Sequence, residues 1–230
     1  MANKDQLDRL LEDVEAWNAW REASPTNIDL SGVNLKDVNL QRANLSDANL
    51  CKAKLRKADL SQANLRNANL SDAKLSQASL CSADLCDANL RNTNLTKANL
   101  TKANLSRVDL RGAILEEANF SHANLRSNDL RGLNLQGLNL SAADLSETDL
   151  SGVNIRSADL SGADLCGADL TQADLLGAKL LGANLIWANL AGAKFGNNPG
   201  INKMAESILK TRGAIFLESL ETSLRVALDR

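Results

Sequence analysis

The sequence predicts an all-β solenoid, a tower of stacked square coils. Three observations indicate this fold: an unbroken five-residue repeat, glycine at one position of that repeat, and a scarcity of aromatic residues. Leucine fills 31 of the 34 positions spaced five apart from Leu30 to Phe195, and we call this position the centre of each unit. Alanine stands two residues before the centre in 24 of the 34 units. The pattern therefore runs through most of the chain.

A period of five fits neither an α-helix nor a flat strand, whose periods are about 3.6 and 2 residues. In an extended segment, the centre and the residue two before it face the same way. Two apolar side chains of each unit therefore point inward, while the other three residues point outward or turn a corner. Four corners close one coil, so 34 units give about 8.5 coils stacked at a strand spacing of about 4.8 Å.

The glycine and aromatic content supports this architecture. Ten of the 13 glycines stand at the second place after a centre, where a residue that tolerates positive φ is expected at a corner. Pro25 and Pro199 lie outside the repeat, one on each side. Aromatic residues make up only 3% of the chain, so the narrow core must consist of alanine and leucine.

The repeating unit, as in Ala98-Asn99-Leu100-Thr101-Lys102, resembles that of the pentapeptide repeat proteins, which are numerous in cyanobacteria. The resemblance covers residues 28–195 and implies a right-handed quadrilateral β-helix, with the handedness taken from the family. A few inward positions depart from the pattern. They predict a wider or locally distorted coil near residues 126–140, either as tolerated core variation or around a ligand. These positions are Thr93, Asn128, Leu133, Leu138 and Thr148.

Residues 1–27 are expected to form an N-terminal α-helical cap, because the first coil of a solenoid exposes unpaired strands and apolar side chains. Helical spacing over residues 4–22 predicts one helix, with Asn3 and Gln6 as a capping box. We expect this helix to cover the first coil, and a docking helix for a partner is the alternative. Its predicted apolar face contains Leu7, Leu10, Leu11, Val14, Trp17 and Trp20.

Residues 196–230 are expected to form the C-terminal cap. The pattern predicts a helix at about 202–211, a strand-like segment at 213–217 that returns to the tower, and a final helix at about 218–228. Near this end the residues outside the core become apolar. We call Leu176, Leu181, Ile186 and Trp187 the apolar belt. The C-terminal helices are expected to cover it; a dimer or partner surface is the alternative, and a monomer is favoured over a dimer.

Charge divides the tower into two parts. Residues 28–107 contain 12 basic and 7 acidic side chains, whereas residues 108–195 contain 6 basic and 11 acidic ones. Beyond Arg131 the acids are less compensated, because Arg156 is the only basic residue in the same stretch of the sequence, so that they form a candidate interaction surface. We call this set the acidic surface: Asp144, Glu147, Asp149, Asp159, Asp164, Asp169 and Asp174.

The amino-acid composition argues against most kinds of catalytic site. His122 is the only histidine, which argues against a catalytic triad. Residues 20 apart should be stacked neighbours, and no cysteine stacks on another, so we expect four free thiols. No apolar run is long enough for a membrane span and no signal peptide is evident, so a cytoplasmic protein is expected. No cofactor or metal is predicted.

The sequence therefore predicts a non-enzymatic scaffold that presents a rigid charged surface to an unidentified protein partner, without direct nucleic-acid binding. The near-neutral net charge of -2 disfavours a nucleic-acid binder. The family resemblance supplies one alternative. Some pentapeptide repeat proteins are thought to imitate DNA and to bind type II topoisomerases, and regularly spaced carboxylates are able to imitate phosphates.

Overall fold

The computed structural model describes residues 3–23 and 27–217. The repeat folds as a right-handed quadrilateral β-helix of about 8.5 coils, which confirms the predicted fold class. Successive coils pair in parallel with an offset of 20 residues, from Asp29 with Asn49 to Asp174 with Lys194. We number the faces 1 to 4 from residues 28–30, 33–35, 38–40 and 43–45 of the first coil. Every other residue is placed by adding multiples of 20.

The corners explain the position of glycine in the repeat. At most corners the N–H three residues after a centre donates to the carbonyl of that centre, as from Ala53 to Leu50 at 3.0 Å. The second corner residue has positive φ throughout, whether it is one of ten glycines or one of 24 other residues. This combination is characteristic of a type II turn. The backbone therefore imposes a left-handed conformation on side chains that ordinarily avoid it.

The core is a column of leucine and alanine. Leu70 and Ala68, for example, have 0% exposure. Two inward threonines fit without disturbing this column, because each hydroxyl donates to the carbonyl three residues earlier. Thr93 Oγ1 donates to Leu90 at 2.7 Å, and Thr148 donates to Leu145 in the same way. Their hydroxyls are satisfied inside their own turns, so neither threonine distorts its coil.

The predicted distortion occurs where residues 107–117 and 126–137 should pair. On faces 1 and 2 the described chain makes no backbone hydrogen bond between these segments. Neither Asp109 nor Ile114 forms a bridge with the coil above, that is, with the coil that follows in the sequence. Faces 3 and 4 stay closed, as shown by the bond of 2.8 Å from Phe120 N–H to the carbonyl of Asn139. We call this opening the interrupted ladder.

Larger inward side chains account for the interruption. Leu133 and Leu138 occupy alanine positions, and Phe120 replaces a leucine; all three are buried. Extra volume in a close-packed core forces the backbone apart. Asn128 holds the corner in the opened arrangement: its Nδ2 donates to the carbonyls of Leu105 at 2.8 Å and Leu125 at 2.7 Å, and its Oδ1 accepts from Val108 N–H at 2.7 Å.

The N-terminal cap consists of two helices, so the prediction of one helix over residues 4–22 is wrong. They are α1 (Lys4–Glu12) and α2 (Val14–Ala23), separated by Asp13, which has an extended backbone. Asp13 instead caps α2, because its Oδ2 accepts from Ala16 N–H at 2.7 Å. The break changes the face of the first helix. Leu11 consequently lies 47% exposed, contrary to its predicted place in the apolar face.

Side chains of the cap replace the missing strand partners of the first coils. Asn3 Oδ1 caps α1 by accepting from Gln6 N–H at 3.2 Å. The Gln6 side chain does not complete a capping box. It donates to the carbonyl of Asn27 at 2.9 Å and accepts from Asp29 N–H at 2.9 Å. Trp17, only 1% exposed, donates through Nε1 to the carbonyl of Asn44 at 2.9 Å.

The C-terminal end comprises β1 (Lys194–Phe195), α3 (Lys203–Thr211) and β2 (Ile215–Phe216). After the last coil the chain crosses the end of the tower as α3, and β2 then pairs in parallel with β1. Phe216 stacks on Phe195 with a centroid distance of 5.2 Å, which covers the last layer of the core. The helix predicted at about 218–228 lies outside the described residues.

Candidate interaction surfaces

The structure separates the predicted acidic surface rather than assembling all seven residues on one side. Asp144 and Asp164 are stacked on face 4, and Asp149 and Asp169 are stacked on face 1. Glu147 stands at the corner that joins these two faces, so these five acids form one continuous patch. The other two acids, Asp159 and Asp174, belong to faces 3 and 2, and they lie apart from it.

Basic side chains neutralise more of these acids than the sequence indicated. Arg126 pairs with Glu147 at 2.7 Å, and Arg131 pairs with Asp149 at 3.2 Å. The two separate acids are also paired, Asp159 with Lys179 at 3.1 Å and Asp174 with Arg156 at 3.1 Å. The expectation of weakly compensated acids is therefore wrong for these four residues, because Arg126, Arg131 and Lys179 reach three of them from outside that stretch of the sequence.

Three acids, Asp144, Asp164 and Asp169, form no ion pair with the described part of the chain. Each uses Oδ1 to hold the following turn; for Asp169 that atom accepts from Thr171 N–H at 2.9 Å and Thr171 Oγ1 at 2.6 Å. Because Oδ1 is engaged, Oδ2 is the oxygen available for recognition of a partner. We call these residues the unpaired acids; they lie on either side of the corner between faces 4 and 1.

Below this patch, face 1 carries alternating charges that compensate one another. Arg131 donates to Asp129 through Nε at 2.9 Å and Nη2 at 2.8 Å, and these bonds lower the pKa of Asp129 to about 2. Arg111 binds Asp109 in the same bidentate way and lowers the pKa of that carboxyl. This section of face 1 therefore presents salt-bridged pairs rather than a row of free carboxylates.

Face 2 of the first part carries the opposite charge. A groove of about 560 Å³ is lined by basic side chains, including Lys54, Arg56 and Lys74. Among the described residues, none of these three has an acidic partner, although Asp72 also lines the groove. Lys54 and Lys74 are stacked as bridge partners in successive coils. We call this region the basic groove; in the sequence it appears as an ordinary solvated charge cluster.

The apolar belt is partly covered and mostly exposed. Leu176 is half-buried beside Gly196, where the chain leaves the last coil. The other three side chains are exposed: Leu181 by 69%, Ile186 by 56% and Trp187 by 83%. The helix α3 does not cover them, because it crosses the end of the tower, where Arg212 donates to the carbonyls of Leu185 and Ala188.

The structure also places the residues considered for chemistry. His122 is exposed at a corner with φ of 58°. All four cysteines are free thiols, as predicted. Within residues 3–23 and 27–217, no group of three or more His, Cys, Asp or Glu side chains is arranged to hold a metal ion. No helix in these ranges has the length and apolar character needed to cross a bilayer.

The protein is therefore a β-helical solenoid with helical ends, and the charged residues of the repeat lie on the outer faces of the coils. Eight copies of the pentapeptide repeat family match the chain between residues 28 and 197. The chain therefore belongs to the pentapeptide repeat family. Proteins of this family are generally structural or interaction modules.

The chain is similar to solved structures of other pentapeptide repeat proteins. HetL from the cyanobacterium Nostoc sp. strain PCC 7120, described as involved in heterocyst differentiation regulation, is 34% identical. The match covers 79% of this chain and 90% of HetL, with a TM-score of 0.53. A thylakoid-lumen protein from Arabidopsis thaliana is also 34% identical, over 43% of this chain and 68% of its own, with a TM-score of 0.42.

A more distant match is QnrB1, described as a plasmid-mediated fluoroquinolone resistance protein. It is 18% identical over 81% of this chain and 95% of its own, with a TM-score of 0.35. A search of curated protein sequences finds no match.

Proposed function

We propose that this protein is a non-enzymatic scaffold that binds a protein partner through the corner between faces 4 and 1 of its second part. The observation that supports this proposal is the group of unpaired acids, Asp144, Asp164 and Asp169. In each of them Oδ1 is bonded to the turn, and Oδ2 has no hydrogen bond among the described residues. A basic protein surface is the complementary partner, because charge complementarity steers association and suppresses wrong partners.

The rigidity of the coils favours a scaffold role. Each unpaired acid belongs to a strand that is bonded to the coils on both sides; Asp164 N–H, for example, donates to the carbonyl of Ala143 at 2.9 Å. Little conformational entropy is then lost when a partner binds. The likeness to HetL supports a regulatory rather than a metabolic role, because HetL is described as involved in the regulation of differentiation.

The proposal is tested by removing charge without disturbing the turns. Asparagine occupies the same repeat position in many other units and accepts the same turn hydrogen bond, as Asn104 does from Ser106 N–H at 3.3 Å. The test variant is Asp144→Asn/Asp164→Asn/Asp169→Asn. Its matched control is Asp159→Asn/Asp174→Asn, which removes two ion-paired acids from the other faces.

Both variants and the wild type are immobilised and exposed to a lysate of the source organism, and the captured proteins are quantified. We expect at least one protein to be lost with the test variant and kept with the control. A captured set unchanged by the test variant contradicts the proposal. A DNA topoisomerase among the charge-dependent partners would instead favour the DNA-mimicking alternative, against which the pairing of four of the seven acids currently argues.

A further inference from the structure

The interrupted ladder leaves backbone groups without partners on two facing strand edges. One coil below, the N–H groups of Leu90 and Leu95 donate upward to Asp109 and Ile114, both at 2.8 Å. The equivalent N–H groups of Leu110 and Leu115 have no acceptor among the described residues. Unpaired backbone groups of this kind are a template for an added strand.

Each strand at the opening is hydrogen-bonded to the coil on its other side. The strand below the opening is bonded to its lower neighbour, as Ile114 N–H is to Thr93 at 2.9 Å. The strand above is bonded to its upper neighbour, as Leu135 N–H is to Asn154 at 2.9 Å. The opening is therefore a local feature of one coil boundary within an otherwise continuous ladder.

The opening has the shape and chemistry of a binding cleft. On face 2 it encloses about 620 Å³, lined by apolar side chains that include Ile114, Leu115, Leu133 and Leu138. Ile114 occupies an outward position that is polar in the other units, and its apolar side chain is 51% exposed. A narrower space of about 380 Å³ continues on face 1, where Asn128 ties the two coils together. Ligand sites in proteins commonly have volumes in this range.

We infer that this cleft binds an extended segment of another protein by β-strand addition, independently of the unpaired acids proposed above. Backbone donors and acceptors at strand spacing require an occupant with the same pattern, which an extended peptide supplies and a small molecule does not. Glycine at the corner positions, Gly112 below and Gly132 and Gly137 above, leaves the backbone there without side chains. Small apolar side chains of the peptide would enter the core side of the cleft.

The charge at one end of the cleft favours a basic residue at the corresponding end of the bound peptide. Glu116 and Glu117 stand at the corner that ends face 2, and Glu117 is paired with Lys97 at 3.4 Å, whereas Glu116 has no basic partner among the described residues. A basic side chain after the added strand would complete this pair. The partner segment is therefore an extended peptide with small apolar residues followed by lysine or arginine.

The inference is tested by backbone amide exchange with a defined probe. The probe is a synthetic peptide with the sequence of residues 46–57, two regular units that occupy faces 1 and 2 in the tower and in which Arg56 and Lys57 follow the second strand. The control peptide carries proline in place of Asn49 and Lys54, which removes two strand N–H donors. In the free protein, the amides of Leu110 and Leu115 should exchange at least roughly tenfold faster than those of Leu90 and Leu95.

The probe at millimolar concentration should slow exchange at Leu110 and Leu115, whereas the control peptide should not. The variant Asn128→Ala/Leu133→Ala/Leu138→Ala restores the small inward residues of the repeat. It should protect both amides without any peptide and should no longer respond to the probe. Equal protection of all four amides in the free protein, or a lack of response to the probe, would overturn the inference. So would an undiminished response of the variant.

Discussion

The two parts of the tower use the same backbone but differ in their corners and their charge. In residues 28–107, one corner residue with positive φ is glycine, Gly32, and all the others carry side chains. In residues 108–195, nine such corners are glycine. The first part has an excess of basic residues and the second an excess of acidic ones. The interrupted ladder lies where the two parts meet.

This difference shows that the same five-residue repeat accommodates both regular pairing of the coils and an interrupted ladder. The first part fills its core with alanine and leucine and pairs every coil with the next, as in the bonds of Leu65 and Leu70 to the coil above. At the junction, bulkier inward residues separate the strands of two successive coils. The side chain of Asn128 bonds to the backbone there in place of the missing ladder bonds. Regular pairing is therefore a property of residue size at the inward positions, not of the five-residue spacing alone.

Core truncation gives the largest contrast between a regular coil and the junction. Leu70→Ala, in a regular coil, should lower the free energy of unfolding by about 3 kcal/mol, because Leu70 is fully buried and its neighbours are close-packed. Leu133→Ala should cost less than about 1 kcal/mol, because it returns the repeat's usual residue to an overfilled coil. Urea unfolding of both variants measures the two effects.

Equal losses in these two variants would show that the junction is packed like a regular coil. A melting curve for each variant serves as a check that the tower still unfolds as one unit.

Corner substitutions should give an intermediate effect of opposite sign in the two parts. Gly162 has φ of +68° and open space where an added methyl group would stand, so Gly162→Ala should cost about 1–2 kcal/mol from backbone conformation alone. Lys102, with φ of 59°, should gain about 0.5–1 kcal/mol when replaced by glycine. Thermal and chemical unfolding of both variants provide the measurement.

The matched control is Lys102→Ala, which removes the charge but keeps the strain and should leave stability nearly unchanged. A gain as large as that of the glycine variant would assign the effect to the charge rather than to the backbone.

The smallest expected effect concerns the paired charges above the junction. Arg131→Gln should raise the pKa of Asp129 from about 2 toward its ordinary value of 3.8, because the guanidinium hydrogen bonds are lost. In the wild type the folded-state pKa is depressed, so this stabilisation is present above the unfolded pKa and is lost as the pH falls through the folded pKa. The carbon-13 chemical shift of the Asp129 carboxyl, followed between about pH 5 and pH 1.5, measures it.

Asp109, whose pKa is lowered by Arg111, should titrate unchanged in the Arg131 variant and is the internal control. An unshifted Asp129 would show that the bidentate pair with Arg131 does not persist in solution.

The sequence predicted the coil architecture because a repeat without a single insertion leaves one way to bury leucine and alanine together. It also located the distorted coil, since Asn128, Leu133 and Leu138 depart from the inward pattern. It did not show that the ladder opens on only two faces, because that depends on how the side chains share space across the coil. It also missed the break at Asp13, since aspartate fits both an exposed helix position and a helix N-cap.

The acidic surface was harder to predict for a similar reason. Residue spacing places Asp149 and Asp169 in one column, but it does not tell whether Arg131 or Lys179 reaches an acid in a neighbouring coil. A long, flexible basic side chain has several acids within reach, and the acid with which it pairs depends on the three-dimensional distances. Ion pairing was therefore visible only in the structure.

The uniform corner geometry has an evolutionary consequence. The same left-handed backbone holds glycine, arginine and even Trp187, so a point mutation at a corner changes the surface without remodelling the coil. Each mutation from glycine adds a side chain to the surface and lowers the stability of the fold, and the reverse mutation restores that stability. Selection is therefore able to adjust the surface chemistry of the tower one corner at a time while the fold persists.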